Sequence, residues 1–155
     1  MRQQEIESKM RAENLRLAGE LAKRQEQIEK LHLQKIEAID GELAAKISEL
    51  QQERDRLTHE VMVSKIAVIR AKEISPEQEA EANVQLERDK AKQIIEGGAI
   101  SRKINEEKMI AAHARKAANI ERDCLLRAAK AQHDNERSVI FADLWAKLEI
   151  ENVEE

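Results

Sequence analysis

The chain has 155 residues, of which 37% are charged and only 1% are aromatic, and its formal net charge is −4. Ala, Glu, Lys, Leu, Arg, Gln and Ile dominate, which is typical of coiled coils and long helices and argues against a compact core built on aromatic side chains. Because 41% of the residues are hydrophobic, the chain has enough apolar surface to bury a seam, which argues against wholesale disorder.

An 11-residue repeat of apolar residues dominates the N-terminal half. Its first set is Ile6, Leu17, Ile28, Ile39, Leu50 and Val61. A second set, four residues further on, is Met10, Leu21, His32, Leu43 and then Arg54, and a third holds Ile36, Ile47 and Ile69. Eleven residues make three turns at about 3.67 residues per turn, so this stripe runs almost parallel to a helix axis. We therefore predict one long helix over residues 1–74, a rod of about 100 Å whose stripe is a seam for homo-oligomerisation.

The best break in the chain lies at Ser75-Pro76. Ser75 suits an N-cap, Pro76 suits the first helical turn, and Gln78 completes a capping-box pattern. The preceding segment, residues 61–69, is rich in β-branched residues. A short strand is one interpretation of it, but the flanking helix formers favour a helical segment that is more deeply buried.

The C-terminal half is predicted to be helical with an Ala-rich seam. Gly97-Gly98 favours a break between a second helix over 75–98 and a third over 99–155, with a continuous helix as the alternative. The seam has heptad spacing and comprises Ile104, Ala111, Ala118, Leu125, Gln132 and Val139. Small side chains allow helices to pack closely, which favours an antiparallel hairpin or a tight bundle. The predicted fold is all-α, an elongated helical hairpin or coiled coil in a helical bundle or tube.

The sequence contains no arrangement typical of an active site, a metal site or a nucleotide site. The four histidines and Cys124 do not have the spacing of metal ligands, and His113 and Cys124 are interpreted as a seam histidine and a buried thiol. Glu96–Lys103 lacks the phosphate-binding pattern. We therefore expect no enzyme activity, no catalytic or metal-binding residues and no cofactor.

The C-terminal segment contains both aromatic residues of the chain. Its apolar face comprises Ile140, Phe141, Leu144, Trp145 and Leu148. Because Trp and Phe often anchor interfaces, one interpretation is a face for docking to a partner. The other is that this face closes the protein's own bundle.

Residues 88–130 are rich in Lys and Arg, which leaves a nucleic-acid-binding adaptor as an alternative function. The segment has no aromatic residues for stacking on bases, and acidic residues are interspersed among its basic ones. A membrane-associated helical assembly protein is a further alternative, although the Ala-rich seam is weakly apolar. No apolar run approaches the roughly 18 residues that a transmembrane helix requires.

The function that these patterns favour is structural: a self-assembling coiled-coil subunit such as a rod, stalk, filament, scaffold or internal virion component. Its partners would be copies of itself and a larger protein assembly. The charged N-terminus does not resemble a secretory signal, so we expect the protein in the cytoplasm or inside an assembly such as a virion.

Overall fold

In the computed structural model, which describes residues 2–154, the chain forms two helices. They are α1 (Arg2–Lys72) and α2 (Pro76–Glu154). The described residues contain no strand, which confirms the predicted all-α helical hairpin. The β-branched segment 61–69 is helical, which is the interpretation that the sequence favoured. Met62, Val63 and Ile66 are exposed, so the prediction that this segment is more deeply buried was wrong.

The turn between the helices closes largely as the sequence predicts. The Ser75 hydroxyl accepts a hydrogen bond from the Gln78 amide at 3.2 Å, which is the expected N-cap contact. The reciprocal half of the capping box is not used. Instead, the Ser75 amide donates to the Ala71 carbonyl at 3.1 Å and thereby satisfies one of the last carbonyls of α1.

The predicted break at Gly97-Gly98 was wrong, because α2 runs through both glycines. Neither has a positive φ, and a Cβ at either position would meet no atom within 4 Å. Each glycine costs about 1 kcal/mol relative to Ala, which is too little to interrupt a helix that packs against a neighbour on both sides of the pair. The helix α2, Pro76–Glu154, therefore crosses the boundary predicted between segments 75–98 and 99–155.

The chain divides into two compact units, and each is an antiparallel pair of helical segments. The turn unit comprises Glu37–Arg115, and the terminal unit combines Met1–Ile36 with Lys116–Glu155. The core of the turn unit is formed by Leu57, Ile100 and Ile104, with Ile47 and Leu50 packed against them. Leu57 is 1% exposed, and in the terminal unit so is Leu17.

The 11-residue stripe forms the inner face of α1 as far as Val61, but the third set does not continue to Ile69. Ile69 is 64% exposed. Beyond Leu50, the buried residues Leu57, Ser64 and Ala71 are spaced seven residues apart, and the buried Val61 lies between the first two. The inner face therefore changes its period within the turn unit, and an extrapolation of the 11-residue repeat misses Leu57.

The predicted heptad seam of α2 is correct only in its first half. Ile104, Ala111 and Ala118 are buried, but Leu125, Gln132 and Val139 are exposed. A straight α-helix drifts by about 20° per heptad relative to a strict seven-residue repeat, so later heptad positions rotate out of the interface. In the terminal unit the inner face of α2 instead includes Ala118 and Ala129, which are eleven residues apart, and Leu148.

Candidate interaction surface

The predicted oligomer seam lies against the other helical segment of the same chain. Ile6, Leu17 and Val61 are buried, and the remaining members of the set, Met10, Leu21, Ile28, Ile39, Leu43 and Leu50, are half-buried. Each unit therefore uses its part of the stripe for internal packing. The use of this seam by a second chain stays a prediction.

Ion pairs at the edges of the seam align the two segments of the turn unit. The Arg115 guanidinium donates to both carboxylate oxygens of Asp40, with Nε at 2.7 Å from Oδ1, and these hydrogen bonds raise the pKa of Arg115. Lys46 lies 3.2 Å from a Glu42 oxygen and 3.4 Å from a Glu107 oxygen. The hydrogen bond to Glu42, followed by that to Glu107, raises the pKa of Lys46.

Three more hydrogen bonds across the turn unit each involve at least one neutral side chain. Arg54 donates to the Ser101 hydroxyl at 3.3 Å, Gln93 donates to the Thr58 hydroxyl at 3.2 Å, and Ser64 donates to Asp89. Residue numbers fall along α1 as those of the partners rise along α2. These polar contacts therefore define the antiparallel register of the two segments. Packing of apolar side chains alone would specify that register less sharply.

In the terminal unit, the cross-helix polar contacts include ion pairs, and the inner face includes two histidines. Lys35 lies 2.6 Å from Glu121, and Arg24 lies 3.8 Å from Glu136. His32 and His133 are half-buried, and the Nδ1 atom of each is buried without a hydrogen-bond partner among the described residues. A buried polar atom without a partner destabilises a fold, so these positions weaken the internal seam.

The predicted docking face at the C-terminus turns mostly toward α1. Leu148 is buried, Ile140, Phe141 and Leu144 are half-buried, and Trp145 is 44% exposed. The Arg137 guanidinium lies 5.1 Å from the centroid of the Phe141 ring. These residues contribute to the closure of the terminal unit, and a role in docking to a partner stays a prediction.

A second apolar stripe lies on the exposed side of α2 in the terminal unit, opposite its inner face. We call this set the outer stripe, and all its members are exposed: Ala117, Ile120, Cys124, Ala128, Ala131, Asn135, Val139, Ala142, Ala146, Ile150 and Val153. They follow one another at steps of three or four residues, so the pattern repeats every eleven residues on one helix face. Asn135 is its one polar member. The sequence contains this signal, but the predicted heptad seam included only Val139 of these residues.

The turn unit also has an exposed apolar surface near the end of α1. Met62, Val63, Ile66, Ile69 and Ile74 are all at least 44% exposed. An open groove of about 710 Å³ lies between this end of α1 and the start of α2. Most of its lining is aliphatic, with Arg70 and Glu81 as its charged residues.

Two of the residues considered for chemistry lie at the surface. Cys124 and His113 are exposed, so their interpretation as a buried thiol and a seam histidine was wrong. Among the described residues, no group of three or more His, Cys, Asp or Glu side chains is placed to hold a metal ion. In the basic segment, Lys92 and Arg115 already lie against Glu60 and Asp40 of the same chain.

The helices over the described residues contain no stretch that is long and apolar enough to span a membrane. The chain matches no protein-family model, and neither a curated protein nor a solved structure shows significant similarity to it.

Proposed function

We propose that this protein is a structural subunit that assembles through helix–helix association, as a stalk, filament, scaffold or internal component of a larger particle such as a virion. The observation that carries the proposal is the apolar surface that the chain leaves exposed. The exposed Met62, Ile66 and Ile69 share one face of α1, and the exposed residues of the outer stripe share one face of α2. Contiguous exposed apolar surface in a folded protein marks an interaction site.

The limited internal burial supports the same proposal. Leu17 and Leu57 are the large side chains that are less than 2% exposed among the described residues. Two packed helices cover only one side of each other, whereas a helix with apolar residues on two sides needs a further neighbour. Assembly would bury the second side at about 25 cal/mol per Å² of apolar surface.

Light scattering coupled to size-exclusion chromatography tests the proposal directly. The protein is measured at concentrations from about 1 to 100 µM, which covers the dissociation constants of moderate to weak complexes. We expect the particle mass to be a defined multiple of the chain mass of 17.8 kDa. A mass of one chain throughout this range would contradict self-assembly.

Nucleic-acid binding through residues 88–130 is the alternative that the same preparation can test. Phosphate contacts make binding fall steeply with salt, so a shift assay between 50 and 200 mM salt, about the range over which such contacts lose most affinity, is diagnostic. We expect no salt-dependent shift of duplex DNA. A monomer that binds DNA in a salt-dependent way would replace the structural proposal.

A further inference from the structure

We infer that the outer stripe of α2 is the surface of an antiparallel, two-fold symmetric contact with a second copy of this chain, centred on Asn135. The inference rests on the proposed self-association and specifies the surface, the orientation and the register. It differs from the predicted oligomer seam, which the chain already uses for its own packing.

The arrangement of residues along the outer stripe matches this symmetry. Ile120 and Ile150 are each fifteen residues from Asn135, and they are 56% and 59% exposed. Ala128 and Ala142 are each seven residues from Asn135, on either side of it. An antiparallel partner centred on Asn135 therefore places isoleucine opposite isoleucine at both ends and alanine opposite alanine near the middle. Small residues at the centre allow the two helix backbones to approach closely.

The charges beside the outer stripe favour the antiparallel orientation. Lys116, Arg127 and Glu149 are separated by multiples of eleven residues, so they share one edge of the stripe. In an antiparallel pair this edge faces the same edge of the partner helix, which runs in the opposite direction. Lys116 and Arg127 therefore come toward Glu149 of the second copy. A parallel partner would instead place Glu149 near Asp143 of the other edge and would bring Lys116 and Arg127 toward Glu121, which Lys35 of its own chain already pairs at 2.6 Å.

The acidic residues on the other edge of the stripe cause only limited repulsion in the antiparallel pair. Among the residues whose side chains the structure describes, the acidic members of this edge are Glu121 and Asp143, which an antiparallel pair would bring toward each other. Glu121, however, is already neutralised by Lys35 of its own chain at 2.6 Å. Repulsion between Glu121 and the Asp143 of a second copy is therefore reduced.

The size of the stripe is sufficient for a stable contact. From Ala117 to Val153 the helix rises by about 55 Å, and a contact about 10 Å wide covers roughly 550 Å² per copy. Two copies would together bury about 1,100 Å², which reaches the lower limit of roughly 1,000 Å² for a specific protein–protein interface.

Asn135 suits the centre of such a contact. On the two-fold axis it meets the Asn135 of the second copy, and two carboxamides are able to donate to and accept from each other. A single polar residue in an apolar seam favours the register that pairs it with another polar group.

Cysteine cross-linking of the full chain tests the orientation. Cys124 and Ala146 are each eleven residues from Asn135, so the inferred contact places Ala146 of one copy opposite Cys124 of the other. Under mild oxidation, we expect the A146C variant, which retains Cys124, to form a disulfide-linked dimer on a non-reducing gel. Within one helix these two positions lie about 33 Å apart, so they cannot form an internal disulfide.

Two control proteins distinguish the antiparallel contact from a parallel pair and from association through another surface. Wild type, with Cys124 alone, and the C124S/A146C double variant should stay uncross-linked, because identical residues lie far apart in the inferred pair. Efficient cross-linking of both single-cysteine proteins would instead establish a parallel pair and overturn the inference. An oligomer by light scattering in which none of the three proteins cross-links would also overturn it and leave the proposed function standing.

A charge substitution on and beside the outer stripe tests the surface itself. We expect Ile120→Glu to weaken the dimer by more than about tenfold in dissociation constant, because the contact would desolvate an unpaired carboxylate. Asn119→Glu introduces the same charge one position earlier, at an exposed site outside the stripe, and should leave the dimer unchanged. Circular dichroism checks that both variants remain helical. Equal effects of the two changes would contradict the assignment of the surface, whereas a wild-type monomer would contradict both the inference and the proposed function.

Discussion

The hydroxyl of Ser64 on α1 donates a hydrogen bond to the carboxylate of Asp89 on α2. Ser64 is 6% exposed, and Asp89 also accepts a hydrogen bond from Gln85 at 3.0 Å. The contact links a buried position on the inner face of one helix to a half-buried acid on the other. It therefore contributes to the register of the turn unit as well as to its stability.

A double-mutant cycle on this pair should reveal a favourable coupling. We expect the destabilising effects of Ser64→Ala and Asp89→Ala to be non-additive, with a coupling energy of about 1–3 kcal/mol. The upper part of this range applies to hydrogen bonds with a charged acceptor such as Asp89. The measurement is urea unfolding at one protein concentration, since stability depends on concentration if the chain associates. Additive effects within about 0.3 kcal/mol would mean that the hydrogen bond contributes little in solution.

Truncation of the core of the turn unit should be costly. We expect Leu57→Ala to lower the free energy of unfolding by about 2–4 kcal/mol, because it leaves a cavity beside Ile100 and Ile104. Met62→Ala in the same helix is the matched control, since Met62 is 55% exposed and its truncation should cost less than about 0.5 kcal/mol. A cost at Met62 comparable to that at Leu57 would indicate that another chain covers this surface.

Replacement of glycine in α2 should stabilise the helix. Gly98→Ala is expected to raise the free energy of unfolding by about 0.5–1 kcal/mol, because alanine restricts the unfolded chain and favours the helix. A Cβ at Gly98 or at the control position Gly41 would meet no atom within 4 Å. A loss of stability at Gly98 with a gain at Gly41 would show that a partner backbone approaches Gly98 closely.

The histidine in the seam of the terminal unit should be replaceable by leucine. His32 occupies a stripe position otherwise held by Met10, Leu21 and Leu43, and its Nδ1 has no hydrogen-bond partner among the described residues. We therefore expect His32→Leu to increase the free energy of unfolding by about 1–2 kcal/mol at a fixed pH. The measurement is thermal unfolding, in which the variant should have the higher midpoint temperature. His59→Leu, at an exposed position, should change stability little. Destabilisation by His32→Leu would mean that the imidazole bonds to a group outside this chain.

Local features of the fold were predictable from the sequence because they depend on residues close together in the chain. The N-cap contact from Ser75 to Gln78 spans three residues, and the stripe from Ile6 to Val61 follows from the geometry of a single helix. Gly97-Gly98 was misjudged because a local preference of about 1 kcal/mol per glycine is overridden by tertiary packing.

The candidate surface was less predictable, since α2 of the terminal unit has apolar residues on two opposite sides. Ala129 faces inward and Ala128 faces outward, although they are adjacent and identical in type. Spacing identifies both stripes, but it cannot decide which of them α1 covers. The heptad interpretation selected Leu125 and Val139, which are 44% and 58% exposed.

The sequence by itself determined that this protein is all-α, that it turns at Ser75-Pro76, and that α1 carries one apolar stripe, because helix preference and side-chain periodicity act over a few turns. Only the tertiary structure decided the register between the helices and the side of α2 that remains exposed. The physical reason is that these depend on contacts between distant parts of the chain, such as Asp40 with Arg115 and Lys35 with Glu121. Such contacts select one among several apolar faces that the sequence makes nearly equivalent.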